Sequence, residues 1–321
     1  MSVVNGDIAT SSGYTTTSLK RHPTYWLEDG SLVVRIQDTG FKVHRTLLQR
    51  NSPFIASGTW NSEENNRPAS EEVEGCAVFS IPIDRGVSSD DFQTLLEHLY
   101  HDAPLDTDAP FARTAAVLRV ASSKQLDFPS IYSIARKRFE ELYPSGPQPF
   151  VHPDNIEEAL ELAVEHNIES VQRGLFYSIV TTSELHDEEE AGMGEAVTAA
   201  APANESVPLD SRPLSPANKE RAKKLMNSIM EHFTPILFTV ETAEHMPCTD
   251  TFADKWMPLV IGPALENGGV GKPLETLQNI IDVDWEAEGL CAECAALKRQ
   301  EWREQQEDIW AKIGVWLAET R

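Results

Sequence analysis

Between Asp29 and Leu142 the spacing of apolar residues changes from two to about 3.6, which predicts a small sheet covered by helices, an α+β fold. Leu32, Val34 and Ile36 alternate with Val33, Arg35 and Gln37, and Asp38-Thr39-Gly40 supplies turn residues ahead of Phe41-Lys42-Val43. That pattern predicts a β-hairpin. Thr46 to Arg50 and Pro53 to Trp60 predict two short helices broken at Pro53, and Asn61 to Gly75 is a polar, acidic loop. Cys76 to Ile83 returns to β-type residues, with Pro82 confining it to a sheet edge or a strand end. Four helical stripes follow. Phe92, Leu95, Leu96, Leu99 and Tyr100 recur at i, i+3, i+4, i+7 and i+8 behind a capping box of Ser88 and Asp91. Val117, Val120 and Ala121 mark the second, and Ile131, Ile134, Ala135, Phe139 and Leu142 the third. Ile156, Ala159, Leu160, Ala163 and Val164 mark the fourth, capped by Asp154 with Glu157.

The 321 residues suffice for about two domains. Residues 1–22 are Ser/Thr/Gly-rich without an apolar period and predict a disordered tail, with order beginning near Pro23. Residues 23–143 form the α+β domain, and residues 144–182 a helical extension after the turn residues Pro144-Ser145-Gly146-Pro147. Residues 183–216 carry the acidic cluster Glu184, Asp187, Glu188, Glu189 and Glu190, then an Ala/Pro stretch whose ordering entropy burial cannot offset, so they predict a linker. Residues 217–321 predict a separate helical C-terminal module. Its first stripe, Ala222, Leu225, Met226, Ile229, Met230 and Phe233, starts after Ser215-Pro216 and stops at Pro235. A Gly/Pro loop from Gly262 to Pro273 separates it from C-terminal helices bearing Leu290, Cys294, Leu297, Trp302, Ile309, Ile313 and Trp316.

The formal charge of −24 would repel phosphate backbones and anionic lipid surfaces, so neither nucleic acid nor membrane is an expected partner. Four cysteines in a chain that can bury its own core do not make a disulfide framework, and a reducing compartment, cytoplasm or nucleus, is expected. The N-terminal segment lacks the apolar run of a signal peptide, and Met257 to Leu265 is too short to span a bilayer.

The stretch DGSLVVRIQDTGFKVHRTLLQRNSPFI, Asp29 to Ile55, resembles the opening of a BTB/POZ domain, at Asp29, Phe41, His44, Leu47, Leu48, Ser52 and Phe54. DFQTLLEHLYHDAPL, Asp91 to Leu105, looks like that family's third helix with its terminal Leu-Tyr pair, and Ala115 to Leu142 like the two helices that complete it. Ile55 departs from the family's second aromatic at the Ser-Pro block, and the loop Asn61 to Gly75 is longer than the pattern. With its Trp-rich C-terminal helices and CxxC after an acidic linker, the whole chain is similar to fungal BTB proteins of unassigned role.

The resemblance implies a non-enzymatic protein-interaction module that homodimerises by apolar helix faces and an exchanged N-terminal segment, here Tyr25, Trp26 and Leu27. It also suggests a substrate adaptor for a cullin-3 ubiquitin ligase holding an unidentified target. Trp60-Asn61-Ser62-Glu63 stands where adaptors carry a hydrophobic-x-Glu motif, one residue out of register, with Trp60 and Glu63 the candidate contacts. The alternative is an oligomeric scaffold or transcriptional cofactor that binds no cullin, and an enzyme of unknown chemistry comes third.

Among chemistry-bearing patterns, Gly268-Gly269-Val270-Gly271-Lys272 has the Gly-Lys pair of a phosphate loop, but Glu266 replaces its first glycine and Pro273 its Ser/Thr. His44 at a strand end reads as a hydrogen-bonded structural histidine. His245-x-x-Cys248 and Cys291-x-x-Cys294 supply four ligands in two pairs, the spacing of a structural zinc site, although small buried cysteines also pack helix interfaces without metal and Pro247 must be accommodated. The five tryptophans Trp256, Trp285, Trp302, Trp310 and Trp316 read either as helical core or as a peptide-binding groove.

Overall fold

The computed structural model describes residues 19–57, 72–143, 146–147, 155–182 and 214–320. The chain divides into two compact units, Met1–Arg138 and Phe139–Arg321.

In the first unit β1 (Lys20–Trp26), β2 (Leu32–Ile36) and β3 (Thr39–Val43) lead into α1 (Arg45–Asn51) and α2 (Pro53–Ala56). Next come β4 (Glu72–Val73), β5 (Cys76–Ser80), a single 3₁₀ turn at Ile83–Arg85, α3 (Ser89–Leu99), α4 (Phe111–Ala121) and α5 (Pro129–Glu141), the last running past the division between units. The sheet order is β1-β3-β2-β5-β4. Central β2 has Leu32, Val33 and Val34 all at 1% exposure or less, as befits a strand covered on both faces.

The hairpin pairs Leu32 with Val43 and Ile36 with Thr39, so its turn is Gln37-Asp38, with Gln37 at φ 52°. Thr39 and Gly40, expected in the turn, lie in β3 instead, because two residues suffice to reverse a twisted ribbon. Ahead of β2, Gly30 passes so close to Lys42 that a Cβ would come within 2.9 Å of its backbone. A type I′-like turn joins β4 to β5, its residues Glu74 and Gly75 both at positive φ.

Order begins at β1, ahead of Pro23, and the cause is His22. β1 runs parallel to β3, but its register slips between Arg21 and Trp26, around Pro23, which has no N–H to give. The His22 ring fills that gap. Its Nδ1 accepts from the backbone N–H of Tyr25 (3.1 Å) and Thr24 (3.3 Å), Nε2 lies 3.0 Å from Gln93 Oε1, and the ring stacks on Phe41.

Half of the expected capping box at α3 is present. Ser88 Oγ accepts from the Asp91 N–H, but the Asp91 carboxylate does not reach back, because Arg119 on α4 holds both its oxygens at 2.9 Å. Both partners are largely buried. Asp91→Ala is therefore expected to cost about 3 kcal/mol, read as a fall in the urea midpoint at unchanged slope, since it strips a desolvated guanidinium of its carboxylate.

The second unit is helical: α6 (Ile156–Glu165), α7 (Glu169–Thr182), α8 (Pro216–Phe238), α9 (Met246–Trp256), α10 (Gly262–Glu266), α11 (Pro273–Asp282) and α12 (Ala292–Glu319). A π-helical turn, Met257–Ile261, joins α9 to α10. The structure corrects four expectations here. Asn155 stands at the N-cap of α6, while Asp154 lies outside the described residues. α8 does not stop at Pro235: it continues to Phe238, with Leu237 buried and the Leu237 carbonyl accepting from Trp256 Nε1 at 3.0 Å. The Gly262-to-Pro273 segment is ordered, holding α10 and a 3₁₀ turn at Gly269–Gly271.

Finally, the helical extension is not separate from the C-terminal module. α7 packs on α8 and α12, Tyr177 Oη donates to Glu275 Oε2, and Glu161 accepts from the Ser215 backbone and the Asn218 side chain. Leu214, assigned to the linker, is buried. Among the described residues no helix is long and apolar enough to cross a membrane.

Candidate metal centre

The second unit is built on four interlocking rings. Phe252 and Trp256 from α9, Trp302 from α12, and Trp285 from the loop after α11 are each at most 2% exposed, with centroids 5.0–6.4 Å apart. Trp285 Nε1 donates to the Ile280 carbonyl at 2.9 Å and Trp256 Nε1 to Leu237, so burying the indoles leaves no unmet donor there. The tryptophans at this centre are core, while Trp310 and Trp316 are half-buried.

The same two helices carry the metal candidates one or two turns nearer their N-termini. On α9, Cys248, Phe252 and Trp256 stand at i, i+4 and i+8, and on α12 Cys294 and Trp302 stand eight apart, so each cysteine continues the stripe of its ring. Both ligand pairs occupy the same helical positions. His245 is the N-cap of α9 and Cys248 the third residue within it; Cys291 is the N-cap of α12 and Cys294 the third residue within that helix. Pro247 is accommodated because it falls in the first turn, where its missing N–H has no helical partner to lose.

One ligand atom from each of the four residues lies within 4.8 Å of every other. His245 Nδ1 is 3.2 Å from Cys291 Sγ and 3.5 Å from Cys294 Sγ, and the Cys248 and Cys291 sulfurs are 3.7 Å apart. A tetrahedron of bonds of about 2.3 Å to sulfur has edges of about 3.8 Å, so these separations suit one small ion at the centre. All four cysteines of the protein are free thiols, and the fourth, Cys76, donates to the Gly30 carbonyl in the other unit.

Electrostatics favour a thiolate at Cys291. The backbone N–H of Cys294 and then the His245 ring hold the Cys291 thiol down at about 6, and hydrogen bonding to Cys291 raises the His245 imidazole. Burial pushes Cys294 up to about 11. The Cys291 N–H donates to Cys248 Sγ at 3.5 Å, the arrangement by which a backbone amide shares the charge of a metal-bound sulfur. Salt links brace the loops that present the ligands: Lys298 with Glu241, Lys255 with Glu288, and Arg299 with Glu286.

The other sequence candidates fall elsewhere. Tyr25 lies in the core of its own unit, where its hydroxyl donates to Asp102 at 2.8 Å. Trp26 is half-buried under the Arg21 guanidinium, and the Leu27 N–H donates to Lys42 of β3. That places residues 25–27 beside β3 within the one chain. Trp60 and Glu63 lie outside the described residues, as does the acidic run Glu184 to Glu190.

His44 joins two motif residues: its N–H donates to Tyr100 Oη (3.1 Å), its Nδ1 lies 2.9 Å from the same oxygen, and Nε2 is 3.2 Å from Asp29. Ser52, fully buried, accepts from the Ile55 N–H and donates to the Leu126 carbonyl. The Gly-Lys run is a turn whose N–H groups at Gly271 and Lys272 are spent on Gly268 and Gly269 carbonyls. Sequence reading missed His22 altogether, since nothing in KRHPTYW marks a histidine as the partner of a strand irregularity.

No protein-family model, curated protein or solved structure matches the chain.

Proposed function

We propose that this chain is an interaction protein in two parts: a dimerising BTB/POZ-type recognition unit, and a helical unit stapled by one structural zinc on His245, Cys248, Cys291 and Cys294. The observation that carries the zinc reading is the convergence of a full set of four ligands, two from each of two helix N-termini, above an aromatic core. Four protein ligands close a tetrahedron and leave no position for a substrate or a reactive water, so the metal's work here is to hold α9 to α12.

The recognition reading is supported by how the motif residues are spent. Phe41, His44 and Ser52 serve packing and hydrogen bonding in a hairpin-and-helix unit, with β2 between β3 and β5. Two copies would join through apolar helix faces, with the segment Tyr25-Trp26-Leu27 the one available for exchange between them. Light scattering at micromolar concentration is expected to give twice the chain mass; a monomer would remove the dimer. The finer role, substrate adaptor for cullin-3, rests on the resemblance alone. It predicts capture of cullin-3 by the native chain and its loss in Trp60→Ala, whereas failure of both leaves a dimeric scaffold.

A further inference from the structure

The four ligands are not equally sheltered. Cys248 and Cys294 are each 4% exposed, whereas His245 is exposed and Cys291 half-buried, so among the three sulfurs Cys291 is the one solvent reaches. Cys291 is also an N-cap in extended conformation at the end of the loop that follows α11, outside the regular turns of α12. Directly behind it stands a second sulfur. Cys248 Sγ lies 3.7 Å from Cys291 Sγ and 3.5 Å from the Cys291 N–H, so a short displacement of the N-cap brings the pair to a bonding distance of about 2.05 Å.

We infer that Cys291 is the oxidant-reactive cysteine of this centre and Cys248 its resolving partner, so that hydrogen peroxide converts the metal site into a Cys248–Cys291 disulfide and frees the ion. The inference rests on the zinc reading above. Solvent-facing thiolates beside a resolving sulfur are the ones that climb the oxidation ladder reversibly. The Cys291 thiolate attacks one peroxide oxygen: an S–O bond forms, the O–O bond breaks, and hydroxide leaves with the electron pair. The Cys248 thiolate then attacks the Cys291 sulfur, the S–S bond forms, the S–O bond breaks, and a second hydroxide leaves. Two thiolates have lost two electrons in total, the peroxide has gained them, and zinc departs as the dication because only His245 and Cys294 remain to hold it. The new bond links residues 43 apart and joins the helix ends that the metal joined, so α9 and α12 stay tethered without it. A dithiol reductant and zinc reverse the change.

The test uses the full chain, purified under reducing conditions, loaded with zinc and then treated with hydrogen peroxide. Metal release is followed with a chromogenic zinc indicator and the cross-link by non-reducing peptide mass spectrometry. The expected result is about one zinc released per chain, matched by a peptide joining Cys248 to Cys291. Cys291→Asp, which keeps an oxygen ligand but no sulfur, is expected to slow release at least about tenfold, and Cys76→Ser to leave it unchanged. A loaded protein whose zinc resists peroxide, or a bridge confined to Cys291 and Cys294, overturns the inference and leaves structural zinc standing. Peptide mapping of the native chain decides this even if the aspartate variant does not fold. Zinc below about a tenth of an equivalent after loading removes the metal reading itself, and the release step with it.

Discussion

Cys294→Ser is expected to leave the purified chain with less than about a tenth of an equivalent of zinc and to lower the thermal midpoint of the C-terminal unit by about 10 °C. The size follows from linkage: a site filled at about 1,000 times its dissociation constant stabilises the folded state by about 4 kcal/mol, and in a unit of this length each kcal/mol moves the midpoint by about 2–4 °C. Cys294 is the informative choice because it is buried on the same stripe as Trp302, and serine keeps its volume while removing the soft ligand. A chelator applied to the native protein should reproduce the shift, and the variant should no longer respond to it.

Acid gives the same answer by another route. The Cys291 thiol sits at about 6 in the folded protein against about 9 for a free thiol, so its thiolate persists to lower pH than an ordinary one. As pH falls through about 6, protons compete for Cys291 and His245 together, and zinc affinity must fall. Zinc retention that is flat from pH 8 to about 5 would count against these ligands.

Trp302→Ala is expected to destabilise the same unit by about 3–5 kcal/mol, the range for deleting a buried aromatic from a packed core. Trp302 contacts all three other rings of the cluster, and its Nε1 reaches Glu241, which also pairs with Lys298. The urea midpoint should drop while the slope stays the same. Trp316→Ala supplies the contrast. That indole is half-buried against His232, so its loss should cost about 1 kcal/mol or less. Equal losses at the two positions would mean that the four rings are not the centre of the fold.

The order of elements in the first unit is readable from periodicity because its buried faces are local: the hairpin and the stripes of α3, α4 and α5 each announce which side packs. What periodicity could not show was pairing that depends on distant partners. β1 carries a proline and no alternation, yet it is ordered because His22 finds Phe41 on the neighbouring β3 and Gln93, 71 residues on, in α3. α8 passes Pro235 because Leu237 and its carbonyl are taken up by Trp256, which offsets the lost helical hydrogen bond. Asp91 abandons its cap for Arg119 for the same kind of reason: a charge-assisted bidentate pair, largely removed from water, outweighs a local one.

At the metal centre the chain's own letters named the ligands, since two spaced pairs of His and Cys are a pattern that coordination chemistry restricts to few uses. They could not say that the pairs meet. Between Cys248 and Cys291 lie a π-helical turn, two helices and the Trp285 loop, and only the packing of that indole against Phe252 and Trp302 brings the N-terminus of α9 beside that of α12. Sequence determined which residue types were available and which helix faces they shared. Tertiary structure decided their convergence, because bringing together groups this far apart along a chain costs entropy that only a buried core can offset.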